Sequence, residues 1–354
     1  MLNHTKQILT LPDSPFILES GATLPEVEIA YDTYGALNSD RSNVVVILHA
    51  LTGWPAAHEW WSGLVGEGRV IDPEKYFVIC PNFLGSCCGS TGPESIDPST
   101  GYPYHANFPT ISTRDIAKAN LQLLDQLGIE EVALAIGGSM GGMVLLEMAA
   151  LDPNRFRAII PIAVSGEHSA WRIAFSSTIR KAITAHDPSL ADADKLRTGL
   201  HIARQFATIS YRCSQEFDTR FAREQSDNTF EVENYLHHQG DKIVERFSPY
   251  SYLTLTKAME LYDLKNPLLF KEGAGGGSTI NCPALFIGIT SDILYEPDEI
   301  VRFAATFPQG QYHTLHADHG HDSFLVDADK LAELIEPFIN SVIVEQPLEE
   351  FAIA

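Results

Sequence analysis

The segment 132–150 constrains the fold more than any other part of the sequence. Residues 132–136 form a short apolar run with the composition of a fully buried strand, and Gly137-Gly-Ser-Met-Gly141 follows at once. An apolar helical pattern then begins at Met143. Strand, tight glycine turn and helix form the setting of a G-x-S-x-G nucleophile elbow, which raises a serine above the sheet edge beside the first amides of the helix. We therefore predict that Ser139 is a nucleophile. The alternative is a glycine-rich connection with an incidental serine.

The charge of the chain excludes several classes of partner. Its 354 residues include 24 Lys and Arg against 46 Asp and Glu, which gives a formal net charge of −22. So acidic a chain repels phosphate backbones, and we expect neither nucleic acid nor an anionic membrane as a partner. An anionic small molecule would need local cations at its site.

The cysteines and the N-terminus bear on the compartment. The five cysteines show no C-x-x-C spacing, and the adjacent Cys87 and Cys88 are poorly placed to pair with each other. An odd number leaves one unpaired, which favours a reducing compartment. The N-terminus lacks the cationic and apolar regions of a signal peptide, and no apolar run reaches membrane-spanning length. These observations predict a cytoplasmic protein.

Buried-strand patterns alternate with a helical pattern through the first half of the chain. The additional strands are predicted at 43–48, 76–80 and 157–164. A helix is predicted to begin with Thr113 as its N-cap and to end at Gly128. Residues 16–34 alternate in part and predict an antiparallel hairpin at the start of the sheet. The alternation indicates an α/β fold with a doubly wound, mainly parallel sheet.

From about Gly166 the pattern changes. Helical spacing recurs through residues 169–264 without a buried-strand pattern, which predicts a helical lid inserted at 166–278. The glycine-rich segment 273–278 lacks the lysine of a P-loop and is predicted to be a flexible return linker.

The α/β pattern resumes after this segment. Strands are predicted at 283–289 and 311–315, followed by a closing helix at about 324–342 and a peripheral acidic tail. The predicted α/β core therefore consists of residues 1–165 and 279–354.

The elbow needs two partners from late in the chain. A serine hydroxyl is a weak nucleophile until a base removes its proton, and a third group must orient that base. In this fold an acid and then a histidine follow the serine, on loops after late strands. Asp292 directly follows the strand predicted at 283–289, with a helix-capping or solvated aspartate as the alternative. His319 and His321 both lie in the loop before the last helix, and spacing does not separate them.

The remaining late histidines and a metal site are less well supported. His313 and His316 are both placed on the strand predicted to begin at 311, so a core or surface role is favoured for both. An H-x-H-x-D-H metal motif would require Asp at 323 and His at 324, where Ser323 and Phe324 stand. We therefore expect no metal and no cofactor.

Acyl transfer also requires donors for a tetrahedral oxyanion. The amide after the nucleophile, that of Met140, is one candidate. The second should come from the loop after an early strand, His49-Ala-Leu-Thr-Gly53, where we predict the amide of Leu51. A structural role beneath the site is favoured for His49.

Motifs along nearly the whole chain point to one family. They run from His49-Ala-Leu-Thr-Gly53 to Gly320-His-Asp-Ser-Phe-Leu325. Between these lie the motifs at 60–66, 82–86, 89–92, 137–142, 203–206, 210–212, 216–217, 220–221 and 235–242. Together they resemble the homoserine O-acetyltransferase family, whose members are α/β-hydrolase-fold enzymes of methionine biosynthesis. The resemblance places the nucleophile of that family on Ser139, its acid on Asp292 and its base on His321.

The resemblance also implies residues that bind the acceptor. The homoserine-binding residues of the family correspond to Arg204 and Asp322, with Tyr211 nearby. A guanidinium can hold the α-carboxylate and a carboxylate the α-ammonium, which leaves the hydroxyl pointing at an acyl-serine. The alternatives are a surface cation of the lid and a helix N-cap, respectively. The chain departs from the family pattern at Val144 and Met148, where Gln and Trp are common and where the core or the pocket wall is expected.

The resemblance implies a homoserine O-acetyltransferase that uses acetyl-CoA and L-homoserine in a ping-pong reaction through an acyl-serine. It also implies a homodimer formed through the helical lid. A succinyl-CoA-dependent homoserine transferase or a serine carboxylesterase would keep the same machinery. From another class, a catalytically inactive binding or scaffold protein is the alternative, which an intact elbow, acid and base disfavour.

Overall fold

The computed structural model describes residues 4–264 and 280–344. Its strands are β1 (His4–Thr10), β2 (Phe16–Ile17), β3 (Thr23–Leu24), β4 (Glu28–Tyr34), β5 (Val44–Leu48), β6 (Phe77–Pro81), β7 (Leu134–Gly138), β8 (Ile159–Ile162), β9 (Gln225–Ser226), β10 (Thr229–Phe230), β11 (Ala284–Ile289) and β12 (Gly310–Leu315). Its α-helices are α1 (Ala57–Trp60), α2 (Thr113–Gln126), α3 (Met140–Leu151), α4 (Ala170–Thr184), α5 (Ala193–Tyr211), α6 (Ser214–Phe221), α7 (Glu231–Arg246), α8 (Pro249–Glu260), α9 (Pro297–Ala304), α10 (Ser323–Val326) and α11 (Ala328–Ile339). None of these helices is both long enough and apolar enough to cross a bilayer.

Eight strands form the central sheet, in the order β1-β4-β6-β5-β7-β8-β11-β12. The six strands from β6 to β12 in this order are parallel, and β4 and β1 continue the sheet antiparallel at one edge. The chain leaves β5 for a neighbour on one side and later returns to β7 on the other side. Ligands of open α/β sheets bind where the strand order reverses in this way, at the carboxyl ends of the strands. The doubly wound, mainly parallel sheet predicted from the sequence is confirmed.

Burial explains why the inner strands are so apolar. Every residue of β5, β7, β8 and β11 is buried, as is typical of parallel strands covered by helices on both faces. One face packs against α2, α3 and α9 through residues such as Leu123, Met143 and Phe303. The other face packs against α1 and α11 through residues such as Ala57 and Leu331.

The start of the sheet differs from the prediction. Residues 16–34 do not form one hairpin: β2 pairs with β3 in a separate small sheet, and β4 pairs with β1 along its length. The sequence of β1, His-Thr-Lys-Gln-Ile-Leu-Thr, is largely polar, and its described side chains are exposed or only half-buried. An edge strand of this kind carries little apolar alternation, so its sequence gives no strand signal.

Two helix boundaries were also predicted wrongly. The N-cap of α2 is Ser112 and not Thr113, because the Ser112 hydroxyl accepts from the Asp115 amide at 3.1 Å while the Asp115 carboxylate accepts from the Ser112 amide at 2.8 Å. The closing helix is divided at Asp327 into α10 and α11. His316, predicted on the last strand, lies one residue beyond the end of β12.

The described residues between β8 and β11 form five helices, α4 to α8, and the short pair β9–β10; we call residues 170–260 the lid. Its two ends lie side by side. The His168 amide donates to the Tyr262 carbonyl at 3.0 Å, and the Leu264 amide donates to the Gly166 carbonyl at 2.8 Å. We call these paired segments, 166–168 and 262–264, the stem. The predicted linker at 273–278 and the tail beyond 344 lie outside the described residues, so the boundaries of the insertion stay a prediction.

Candidate active site

Ser139 lies in the turn between β7 and α3 with φ 56° and ψ −121°, a backbone conformation that is costly for a non-glycine residue. The glycines around it make so sharp a turn possible. A Cβ at Gly137 would lie 2.6 Å from the carbonyl carbon of Gly141, and a Cβ at Gly141 would overlap the carbonyl oxygen of Leu48 on β5. The strand, turn and helix thus have the geometry of a nucleophile elbow, at the point where the strand order reverses.

Asp292 and His321 form a buried pair. The Nδ1 atom of His321 lies 2.7 Å from Oδ2 of Asp292. The other carboxylate oxygen, Oδ1, accepts from the amides of Leu294 at 2.8 Å and Tyr295 at 3.1 Å, so the loop after β11 holds one oxygen while His321 contacts the other. A carboxylate bound to Nδ1 leaves Nε2 as the nitrogen available to a substrate or nucleophile.

His321, and not His319, lines the cavity that Ser139 lines. The imidazole of His319 instead binds the Asp327 carboxylate at 2.7 Å, in a separate surface depression. His313 lies on β12, the edge strand of the sheet. The two candidates that spacing left equal are therefore distinguished by which carboxylate each one contacts.

The surroundings of His321 set its basicity. Burial lowers the pKa of the imidazole, but the charge of Asp292 and its hydrogen bond outweigh burial, and the net pKa is raised above its ordinary value. The ring stacks on Tyr295 with centroids 5.4 Å apart and contacts Phe324 edge-on at 5.7 Å. These rings restrict its orientation.

The cavity has a volume of about 1100 Å³, including its open mouth. One wall is the loop after β5 together with Ser139 and His321, and the lid forms the opposite wall. The lid contributes apolar side chains such as Phe175, Ile179 and Met259 to this wall, together with polar and charged ones. The cavity is thus enclosed between the sheet edge and the lid, as is usual for a small-molecule site.

The predicted oxyanion donors come from two different parts of the chain. Met140 is the first residue of α3, and Leu51 lines the cavity from the loop after β5. His49 supports this loop from below: its Nδ1 lies 2.8 Å from the Ala50 carbonyl, and its Nε2 accepts from the Phe83 amide at 3.4 Å. Burial lowers the pKa of His49 to about 4, so it is neutral at pH 7, which agrees with the structural role favoured from the sequence.

Three arginines line the cavity, and two of them, unlike Arg172 with its partner Glu299, supply positive charge without a paired carboxylate among the described residues. These two are Arg204 and Arg246. Arg204 lies over the Tyr211 ring at 5.7 Å, whereas Arg246 donates to the Thr52 carbonyl at 2.7 Å. Burial and then the charge of Arg204 lower the pKa of Arg246, so the two charges influence each other. Within residues 4–264 and 280–344, neither arginine has a carboxylate at ion-pair distance.

Asp322 is the acidic group of the same cavity. It lies beside His321 and lines the cavity, and its carboxylate is 3.3 Å from Nε of Arg212. Tyr211 also lines the cavity and is 6.0 Å from His321, centroid to centroid. The predicted acceptor residues thus line the same cavity as Ser139. By contrast, Val144 and Met148 are fully buried in α3 and are not among the residues that line the cavity.

Sequence reasoning missed Arg172, which connects the lid to the loop of Asp292. Its buried guanidinium donates to the Leu294 carbonyl at 2.9 Å and to both oxygens of Glu299 at 2.8 and 2.7 Å. It also lies 4.2 Å above the ring of Tyr295, the residue that stacks on His321. Only its helical spacing was visible in the sequence, so no local signal identified it.

Comparison with known proteins extends these observations. Residues 43–328 match the model of the alpha/beta hydrolase fold family. The homoserine O-acetyltransferase of Chlorobaculum parvum is 44% identical over 340 residues, which cover 94% of each chain. The crystal structure of a homoserine O-acetyltransferase from Bacillus anthracis superposes with a TM-score of 0.84 at 24% identity, covering 97% of this chain and 99% of that one. The crystal structure of esterase E22 superposes with a TM-score of 0.83 at 23% identity, covering 95% and 100%. The two superpositions bear on the fold alone.

Proposed function

The chain belongs to the homoserine O-acetyltransferase family of the α/β-hydrolase fold, and we propose that it moves an acetyl group from acetyl-CoA to the hydroxyl of L-homoserine in two steps through Ser139. The observation that carries the mechanism is that Ser139 and His321 line one cavity while Asp292 holds His321 from behind. The family relationship supports the overall reaction, a step that the resemblance assigns to methionine biosynthesis.

In the first step, the Ser139 hydroxyl attacks the thioester carbonyl and passes its proton to Nε2 of His321. The amides of Leu51 and Met140 stabilise the oxyanion of the tetrahedral intermediate. The C–S bond then breaks, and His321 returns the proton to the leaving thiolate, so that CoA departs and an acetyl ester remains on Ser139.

In the second step, homoserine occupies the space that CoA has left. Its hydroxyl gives a proton to His321 and attacks the acetyl ester, and the collapse of the second tetrahedral intermediate releases the product and the Ser139 hydroxyl. Arg204 would bind the α-carboxylate and Asp322 the α-ammonium, with Tyr211 beside them. The absence of a carboxylate partner for Arg204 among the described residues supports this assignment.

The walls of the cavity explain how transfer can compete with hydrolysis. The nucleophile is only 8% exposed, and the lid covers the cavity with apolar side chains such as Phe175 and Ile179. Limited access of water to the acetyl ester favours the bound hydroxyl as its acceptor.

We also propose a homodimer that forms through the lid. Three large apolar side chains of α5, those of Ile202, Phe206 and Ile209, are 46%, 36% and 50% exposed. They recur at spacings of four and three residues and therefore share one face of the helix. An apolar stripe of this kind fits burial against a second copy of the chain.

We also propose that the protein is cytoplasmic, because its cysteines indicate a reducing compartment. All five cysteines are free thiols in the structure, which is the usual state of cysteine in the cytosol.

A rapid-quench experiment tests the function and the mechanism together. Acetyl-CoA alone should release about one equivalent of CoA per chain, and continuous release should require homoserine. Ser139→Ala should abolish both phases. If continuous release proceeds without homoserine, the protein is a hydrolase. Succinyl-CoA and a nitrophenyl ester, tested in parallel, decide between the acetyltransferase and the two alternative activities.

A further inference from the structure

A cluster of metal-binding side chains lies in the lid, where α5 packs against α7. It consists of His201 on α5 and of His237 and Asp241 on α7, and none of the three lines the catalytic cavity. Gly240 allows the close approach of the two helices. A Cβ at this position would lie 2.5 Å from the imidazole of His201, so only glycine lets α7 pass directly over that ring.

The potential ligand atoms converge on one point. Nε2 of His201 lies 3.2 Å from Oδ1 of Asp241, and Nδ1 of His237 lies 3.1 Å from Oδ2 of the same carboxylate. All the ligand atoms fall within 4.8 Å of one another. Tetrahedral zinc with bonds of about 2.0–2.1 Å has ligands about 3.4 Å apart. A small rotation of the exposed His237 side chain would bring the cluster to that spacing.

The side chain of Gln205 orients His201, the least exposed of the three potential ligands. The Gln205 side-chain amide lies 3.0 Å from Nδ1 of His201, one helical turn along α5. It thereby directs Nε2 of His201 towards Asp241. Histidine ligands of metals nearly always have their second ring nitrogen held by such a partner. When an ion binds Nε2, the ring proton moves to Nδ1, and the Gln205 amide can accept it after a rotation of its terminal group.

We propose that His201, His237 and Asp241 form a binding site for a divalent transition-metal ion of the zinc class, which joins α5 to α7. Two imidazoles and one carboxylate suit zinc and its neighbours and do not suit calcium or magnesium, which prefer oxygen ligands alone. His237 and Asp241 are 67% and 49% exposed in their side chains, so the fourth position is open to water. The strong negative charge of the chain favours the approach of a cation.

The site would serve the structure of the lid and not the chemistry. Helix α5 also carries Arg204 and Tyr211, so an ion that fixes α5 against α7 would steady the helix that holds the proposed acceptor residues. All three ligands belong to one chain, and the site is therefore complete without a second copy.

Zinc titration of the full-length, tag-free chain tests the proposal. After treatment with a chelator, the protein competes for Zn²⁺ with a chromophoric indicator, and we expect one ion to bind per chain. His237→Asn should weaken binding by at least about 100-fold, because loss of even an outer partner of a ligand costs about 10- to 100-fold. His238→Asn is the matched control: it changes an exposed histidine on the next position of α7 and should retain wild-type affinity.

Two further readouts identify the ligands. Zn²⁺ should raise the unfolding temperature of the wild type and of His238→Asn but not that of His237→Asn, because the ion binds only the folded helix pair. Gln205→Leu should weaken zinc binding about 10-fold. Equal zinc affinity of the two histidine variants, or a wild type that binds no zinc, would show that the cluster is only a network of His–Asp ion pairs.

Discussion

The guanidinium of Arg172 lies 4.2 Å from the centre of the Tyr295 ring, and through that ring it reaches the imidazole of His321. Arg172 belongs to the lid, whereas Tyr295 belongs to the loop that holds Asp292. The same guanidinium binds Glu299 on α9. This arginine therefore couples the position of the lid to the position of the proposed acid and base.

Arg172→Met is expected to lower kcat on the order of 10-fold, because small misplacements of catalytic groups are costly. The charge of Arg172 lowers the pKa of His321, so its removal should also move the acidic limb of the kcat/KM profile to higher pH. Rates measured against pH test both effects. Arg180→Met, which breaks the ion pair of α4 with Glu260 in the lid, is the control and should leave the limb in place. If the acidic limb of the kcat/KM profile of Arg172→Met does not shift, Arg172 has only a structural role.

Asp292→Asn is expected to lower kcat about 10⁴-fold, because an amide no longer favours the productive tautomer of the base. Asp292 raises the pKa of His321, so the imidazole of the variant should titrate at a lower pH than in the wild type. NMR titration of labelled histidine measures this shift independently of the residual activity. Asp327→Asn removes the carboxylate that pairs with His319, the other histidine of this loop, and should keep kcat within about 3-fold. Comparable losses in the two variants would contradict the assignment of His321.

Arg204→Lys is expected to raise KM for homoserine about 10- to 100-fold, since a charge-assisted hydrogen bond contributes about 1.5–3 kcal/mol and lysine cannot pair bidentately with a carboxylate. The initial release of CoA, which needs no acceptor, should stay unchanged. Steady-state and rapid-quench kinetics separate the two steps. Arg197→Lys, on the exposed side of α5, serves as the control. An effect confined to CoA release would place Arg204 in donor binding instead.

His168→Gln is expected to make the protein less sensitive to acid. Burial, followed by the charge of Arg172, lowers the pKa of His168 to about 4, while in the unfolded chain its pKa is near 6.5. Between these values the unfolded state binds more protons, so the free energy of unfolding falls as pH decreases, by about 1.4 kcal/mol per pH unit for this group. Urea unfolding at several pH values should show a shallower slope in the variant. The exposed His186→Gln should keep the slope of the wild type.

Gly141→Ala is expected to destabilise the fold by about 3 kcal/mol or more, because the added methyl would overlap the Leu48 carbonyl and the backbone has no room to move. Gly101→Ala provides the comparison: it has φ 76° but no atom near a new Cβ, and should cost only about 1–2 kcal/mol. Denaturant unfolding measures both. Equal losses would show that the structure relieves the overlap with the Leu48 carbonyl, and that crowding does not require glycine at position 141.

The elbow was predictable from the sequence because its parts are neighbours in the chain. A buried strand, a glycine turn and a helix follow one another within segment 132–150, so local rules suffice. The choice between His319 and His321 was different. It depends on which of Asp292 and Asp327 each imidazole contacts, and no spacing rule specifies those contacts.

The role of Arg172 could not be predicted either, because its partners are distant in the sequence. Its partners Leu294 and Glu299 lie 122 and 127 positions further along the chain, so the interaction exists only after the lid has packed on the core. The first strand was missed because β1 is an exposed edge strand whose sequence lacks apolar alternation.

The stem has a consequence for how such a chain can diversify. Since the lid departs from and returns to the core at a single place, its helices can be exchanged as a cassette without breaking any strand of the sheet. Ser139, Asp292 and His321 remain on one side of that junction, and Arg204 and Tyr211 on the other. The proposed bond-making groups thus belong to the core, whereas two of the three proposed acceptor-binding residues belong to the lid and only Asp322 to the core. Grafting a different lid onto this core would therefore change most of the contacts that select the alcohol to be acylated.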